Sequence, residues 1–498
     1  MLMRPLQNAP FRSLRLSAQS LRQTQILILE IFNIFLRLKF SPSLTLTKIE
    51  HFPKVSVFFR NNQTWIAAIL IRKMIGPIKV TDIELSLPIK DIDGLGNYKS
   101  LQALVRLHGR PLGCIILPVA GGCCRAADII EAIGETLRLD LARKGFVANL
   151  SFHPTPEGLV IEEMPDVSPV EDEGSFPLVT VAVCTRDRAE NLRACLKAIQ
   201  QLRYPHFDIL LIDNAPRTDA AERLLKKEFP GVRYLVEPRP GLDWARNRAM
   251  IEARGDIVAF TDDDVVVDPG WIQALVKVFA QDPDVMAATG LVVPYELETE
   301  AQILFEGYGG FGKGFERRRV PPRNGTKSHR WSHLAAGDLG TGANMALRRS
   351  IFDVIGGFDP ALDMGTATGG GGDLEIFFRV VQEGYALVYE PNAIIRHIHR
   401  REYNELKTQI RSWGTAVVSY LARSAIAYPG ARFMISCFTV RWLLGRHVWR
   451  TLKHLLGSNR IPLDLMLAEL TGSLTGLFAY QRARRVAERI ASTLGPIK

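Results

Sequence analysis

"LVTVAVCTRDRAENLRACLKAIQQLRYPHFDILLIDN" occupies residues 178–214 and reads as strand, helix, strand. "LVTVAVCT" and "FDILLIDN" are apolar runs of strand length, and "RAENLRACLKAIQQL" between them has the composition of a helix. The alternation continues with "DAAERLLKKEF" as a helix and "VRYLVEP" as a strand. "GLDWARNRAMIEAR" follows as a helix and "DIVAFTDDD" as a strand. Strands and helices in strict alternation predict a doubly wound α/β domain with a mostly parallel sheet. Ligands of such sheets lie at the carboxyl ends of the strands. "TRDR", "DN" and "DDD" all fall there, each directly after a hydrophobic run, so these strand ends are the candidate site.

Working outward, the acidic, proline-containing stretch 162–177 reads as a linker. Before it, residues 76–165 predict a small α+β accessory domain. "IKVTDIELSLPI" is its first strand, "LQALVRLHGRPLGCIILPV" a pair of strands about a turn, and "AADIIEAIGETLRLDLARKG" its helix. Residues 1–75 form a basic extension with no assigned role, 176–400 the main α/β domain, and 401–498 a basic helical region.

The chain has 498 residues, is 47% hydrophobic and 23% charged, and has a net charge of +10. That composition is globular and the length suggests two to four domains. The charge is unevenly divided: Lys and Arg outnumber acidic residues 11 to 2 before residue 76 and 16 to 5 after residue 399. The middle is acidic, with 35 against 45, which argues against a nucleic-acid partner. Basic flanks fit attachment to an anionic membrane surface. Segments 433–449 and 463–480 are apolar but interrupted by charge, too short to span a bilayer. They read either as interfacial amphipathic helices or as a helical cap packed on the protein. The six cysteines form no metal-type pair or disulfide framework, which suggests a cytoplasmic setting at the inner face of the cell membrane.

Asp262, Asp263 and Asp264 place three like charges side by side after a buried strand, which is costly unless a cation compensates. Carboxylates at strand ends suit a hard divalent ion, Mg²⁺ or Mn²⁺, of the kind that bridges protein to phosphate. The chain has no G-x-x-x-x-G-K-[ST] loop, and no G-x-G-x-x-G turn follows its first α/β strand. A nucleotide held through a metal remains.

Residues 179–216, "RPGLDWARNRAM" and "GDIVAFTDDDVV" resemble the nucleotide-sugar half of glycosyltransferase family 2. "GTGANMALRRSIFDVIGGFDP" and "GGGGDLEIFFRVVQEGY" resemble its acceptor half. The resemblance covers about residues 176–400 and implies a GT-A fold and transfer of a sugar, with inversion, from a nucleoside diphosphate to a hydroxyl acceptor. It implies that Thr185, Arg186, Asp187, Asp213, Arg246 and Asn247 contact the donor. Asp262 would face the ribose and metal, Asp264 would ligate the metal, and His397 would be a third ligand, with His399 the alternative. Gly342, Ala343 and Asn344 would line the acceptor cleft.

The family's catalytic base is the Asp of a Glu-Asp pair. Here Gly372 stands in place of the Glu, and Asp373 is the expected base, with Glu375 the runner-up. Asp373 can also cap the helix after "GGGG". Asp263 is expected to be solvated or to cap backbone, and 310–319 is either a loop over the donor phosphates or a surface loop. "QIRSW" lacks the spacing of the processive synthases, so a single transfer is expected, onto a glycan or lipid-linked acceptor. The competing readings are a sugar-nucleotidyl or phosphoryl transferase and a non-catalytic nucleotide-sugar binder.

Overall fold

The computed structural model describes residues 76–143, 176–321, 334, 336–455 and 461–495. The expectations for 1–75 and for most of the linker lie outside these residues.

The main sheet is built from β4 (Val179–Thr185), β5 (Phe207–Asn214), β6 (Arg233–Glu237), β7 (Ile257–Asp262), β8 (Val265–Val267), β9 (Val285–Pro294), β10 (Arg318–Val320), β11 (Asn344–Arg348) and β12 (Ala386–His397). Their order is β10-β12-β9-β11-β7-β4-β5-β6, with β8 pairing to β12. Strands β6, β5, β4 and β7 run parallel, as do β9 and β12, and β11 lies antiparallel between β7 and β9. The expected doubly wound, mostly parallel sheet is therefore present.

Every residue of β4 is buried, so its two faces must both be covered. Val179, Val181 and Val183 point to one core with Leu192 and Leu196 of α2 (Ala189–Ile199), Leu224 and Leu225 of α3 (Ala220–Glu228) and Trp271 and Leu275 of α5 (Trp271–Gln281). Ala182 and Cys184 point to the other, with Ala245 and Ala249 of α4 (Leu242–Glu252) and Ile376 and Phe377 of α8 (Gly372–Gln382). Successive residues alternate between faces, which is the period of two that a strand imposes. The remaining helices of this region are α6 (Glu300–Tyr308) and α7 (Ile351–Ile355).

Upstream, β1 (Ile78–Glu84), β2 (Ser100–Leu107) and β3 (Arg110–Pro118) make a separate three-stranded sheet. The turn between β2 and β3 places His108 at φ 48° and Gly109 at φ 77°, the backbone of a tight hairpin. Ile129 and Ile133 of α1 (Ala126–Arg143) complete its core. This unit docks on the main sheet through Leu104 against Leu291 and Ile394, and through Arg106 Nη1, 2.7 Å from Asp268 Oδ2.

After β12 come α9 (Tyr403–Ala427), α10 (Arg432–Leu443), a π turn at Leu444–Val448, α11 (Trp449–Leu455) and α12 (Leu463–Leu494). Helices α9 and α12 cross closely: a Cβ at Gly472 would sit 2.0 Å from the Arg411 carbonyl. Among the described residues no helix is long and apolar enough to cross a membrane. Phe433, Leu467, Leu474 and Phe478 leave apolar surface exposed on α10 and α12.

Candidate active site

The carboxyl ends of β4 and β7 open into a cavity of about 1970 Å³. Its floor carries Thr185, Arg186, Arg188, Arg246, Asp262, Asp263 and Asp264. Gly342, Ala343, the glycines 369–372 and Asp373 also line it, with Gly342 packed against Arg246. The walls extend over α9–α12 through Trp413, Trp442 and Trp449.

The aspartate run turns sharply from β7 into β8, and β8 pairs antiparallel with β12 so that Val265 faces His397. The amide of Ile398 donates to the Asp264 carbonyl at 2.9 Å. This register brings His397 Nε2 to 3.4 Å from Asp264 Oδ1. Asp262, Asp264 and His397 each offer one ligand atom, all within 4.8 Å of one another. Two carboxylate oxygens and one imidazole nitrogen form a donor set suited to Mg²⁺ or Mn²⁺. Asp262 is 31% exposed at the side chain, whereas Asp264 is 9% exposed.

The cluster is short of positive charge. Arg188 Nη1 lies 3.2 Å from Asp263 Oδ1 and 3.3 Å from Asp264 Oδ2, and Arg246 Nη2 lies 3.9 Å from Asp262 Oδ1. Burial pushes the Asp262 carboxyl up to about 7, and Asp264 and Asp263 push the same way against Arg246. Burial also raises Asp264 and Asp263, with Arg188 opposing in both cases. Burial holds His397 well below the usual histidine range, so it is neutral and free to ligate. Its Nδ1 lies 3.3 Å from His399 Nδ1, and His399 Nε2 meets Glu306 Oε1 at 2.9 Å. His399 thus buttresses His397 and is not a member of the ligand cluster.

Asp263 differs from expectation. It is 4% exposed, accepts a 2.7 Å bond from Thr185 Oγ1 and pairs with Arg188, because the turn directs it back under β4. Thr185 therefore serves Asp263. Arg188, the last residue of "TRDR", is the cation the sequence reading passed over.

In the same cavity, Asp373 Oδ2 accepts from the Gly342 amide at 2.7 Å and Oδ1 from the Leu374 amide at 2.8 Å. Helix α8 is capped at Gly371, so Asp373 sits inside the first turn and is not the N-cap. Glu375 does not reach the cavity: it is fully buried, with Arg379 Nη2 and Arg423 Nη1 each 2.6 Å away. It is a structural ion pair, which corrects its candidacy as base.

Four other residues expected to bind lie off the cavity lining. Asn247 bonds the amide and carbonyl of Phe358 at 2.7 and 2.9 Å. Asn344 accepts from Trp271 Nε1 and donates to the carbonyls of Leu291 and Ala393. An amide side chain both donates and accepts, and these two use that capacity to stitch backbone. Asp213 accepts from the Tyr234 hydroxyl at 2.9 Å, and burial raises it. Asp187 adopts φ 54° and accepts from the Arg217 amide. Residues 310–313 of the glycine-rich loop do line the cavity.

Residues 180–356 match the sequence profile described as Glycosyl transferase family 2. The O-antigen biosynthesis protein RfbC of Myxococcus xanthus is 29% identical over 270 residues, covering 50% of this chain and 20% of that protein. The glucosyl-dolichyl phosphate glucuronosyltransferase of Haloferax volcanii is 23% identical over 235 residues, covering 44% of this chain and 68% of that one. The solved mannosyltransferase PcManGT of Pyrobaculum calidifontis, in complex with GDP-Man and Mn²⁺, is 18% identical. The match covers 67% of this chain and 80% of that chain with a TM-score of 0.37. The profile match spans β4 to α7 and contains the whole aspartate run and the Gly342 loop. Residues 180–356 of the chain are thus similar to glycosyltransferase family 2.

Proposed function

We propose that the protein transfers a sugar from a nucleoside-diphosphate sugar to a hydroxyl acceptor, with inversion, using Mg²⁺ or Mn²⁺. The observation that carries this reading is the Asp262, Asp264 and His397 cluster sharing one cavity with Asp373. Asp262, Asp264 and His397 would hold the ion, which when bound offsets the charge of the departing diphosphate. Arg186 and Arg246, which line the cavity, supply cationic partners to the donor. Asp373 takes the proton of the acceptor hydroxyl as the oxygen attacks the anomeric carbon from the far side. Its two backbone partners fix the carboxylate in the cavity wall.

The acceptor is a glycan or a lipid-linked one, and the protein lies peripherally on an anionic membrane face. Exposed Phe433, Leu467, Leu474 and Phe478, on the region where basic residues outnumber acidic 16 to 5, support that placement.

The test is release of nucleoside diphosphate from a panel of sugar nucleotides with Mn²⁺. Asp264→Ala and EDTA should each abolish release, and full activity in either defeats the metal assignment. Asp373→Asn should keep donor binding and lose roughly 10²–10⁴-fold in transfer, the scale of general-base catalysis. Flotation with anionic vesicles tests the membrane placement, and failure to co-float defeats it.

A further inference from the structure

Two carboxylates of the cavity have no part in the reading above. Asp243, in the first turn of α4, and Asp363 each line the cavity and are each 1% exposed. Asp243 Oδ1 lies 3.2 Å from Arg246 Nη1, while Asp243 Oδ2 has no hydrogen-bond partner. Asp363 Oδ2 accepts from the Asp243 amide at 2.9 Å, while Asp363 Oδ1 has no partner. A buried carboxylate oxygen left unpaired is costly, and two beside each other are more so.

Both carboxylates are seated against glycines. A Cβ at Gly372 would lie 1.9 Å from Asp243 Oδ2, and one at Gly241 2.1 Å from Asp363 Oδ2. The space a side chain at 372 would fill is occupied by Asp243, one residue from Asp373. Arg246 connects this pocket to the aspartate run, being 3.9 Å from Asp262. A diphosphate held at Asp262 and Asp264 would therefore carry its sugar towards Asp243 and Asp363.

The chemistry narrows the ligand. The described residues place no third metal-ligating side chain with these two, and Arg246 beside Asp243 disfavours a second cation. Burial raises both carboxyls, Asp363 to about 7, so the pair can hold a proton and both donate and accept hydrogen bonds. Hydroxyl groups match that capacity.

We propose that Asp243 and Asp363 receive two neighbouring hydroxyls of the donor sugar through their unpartnered oxygens, and so determine which sugar is transferred. This rests on the glycosyltransferase reading above and adds a sugar-specificity site to it.

The experiment is calorimetric titration of the full chain with Mn²⁺ and UDP-glucose, UDP-galactose, GDP-mannose, UDP or GDP. The sugar nucleotide that binds best should bind at least tenfold more weakly to Asp243→Asn, while its parent diphosphate binds within twofold of the unmodified protein. Donors lacking one sugar hydroxyl sharpen the result. One such donor should lose tenfold against the unmodified protein and under twofold against Asp243→Asn, and a donor lacking the adjacent hydroxyl should behave likewise with Asp363→Asn. A merely structural role cannot produce that selective loss of discrimination. Equal weakening of sugar nucleotide and diphosphate overturns the proposal. So does unchanged donor binding with slowed transfer, which would give the hydroxyls to the acceptor. Should Asp243→Asn not fold, the unmodified protein decides: indifference to every single hydroxyl deletion overturns it. Absence of any nucleotide binding to the unmodified protein is a different failure, which defeats the function and this inference together.

Discussion

Glu469 of α12 and the aspartates at the end of β7 are carboxylates lining the same cavity, and their surroundings drive them in opposite directions. Glu469 is 1% exposed, with Arg450 Nη1 3.1 Å from Oε2, Arg446 on Oε1 and the Tyr308 hydroxyl donating at 2.7 Å. Burial alone would raise it, but Arg446 and Arg450 outweigh burial and hold it at about 2. Asp262 has one distant guanidinium and two like-charged neighbours, and it is pushed up to about 7. A carboxylate that serves the fold has its charge matched in advance. One that awaits a cation is left short, and the shortfall marks the site.

The largest test of this contrast is Asp264→Ala. It should abolish turnover, losing at least the roughly 10²–10³-fold that loss of electrostatic stabilisation of a developing charge costs, with the melting temperature unchanged or raised. A melting temperature lowered by many degrees would make the aspartate run structural and erase the contrast. Glu469→Gln should do the reverse. Breaking a buried pair costs about 3–5 kcal/mol, read by urea unfolding, while turnover per folded molecule is kept. Loss of turnover without loss of stability would move Glu469 into the site.

The pH profiles should differ in sign. Glu469 has its folded value depressed below 4.5, so its stabilisation is present above pH 4.5 and is lost as pH falls towards about 2. Unmodified protein and Glu469→Gln should converge in stability over that window. Asp262 has its folded value raised from 3.8 to about 7, so it favours the fold only in its protonated form. The smallest effect follows: Asp262→Asn should match the unmodified protein below pH 4 and gain stability between pH 4 and 7 without metal. Added Mn²⁺ should reverse that ranking. A gain independent of pH would mean that relief of charge is not its cause.

The sheet and one face of the site were legible because both are local. Alternating runs predict β4–α2–β5, and a polar group after each run marks a strand end. The aspartate run 262–264 followed directly, and the choice of Asp262, Asp264 and His397 as ligands came through the family resemblance. The rest depends on segments that meet only in three dimensions. Asp363 lies 120 residues from Asp243, and no periodicity announces that its carboxylate receives the Asp243 amide. Asn247 and Asn344 were misread for a related reason: a polar residue in a motif has the same letter whether it faces a ligand or ties down backbone. Glu375 was misread because its partner Arg423 is on another helix. The glycine before each hidden aspartate contact, Gly241 and Gly372, was the one local signal available.

That steric exchange between Gly372 and Asp243 has an evolutionary consequence. A side chain at position 372 would displace the Asp243 carboxylate, since both claim the same volume. The two sites should therefore drift as a pair: a descendant with glutamate at 372 would carry a small residue at 243. A carboxylate could thus migrate from one segment to the other while its place in the cavity stays filled.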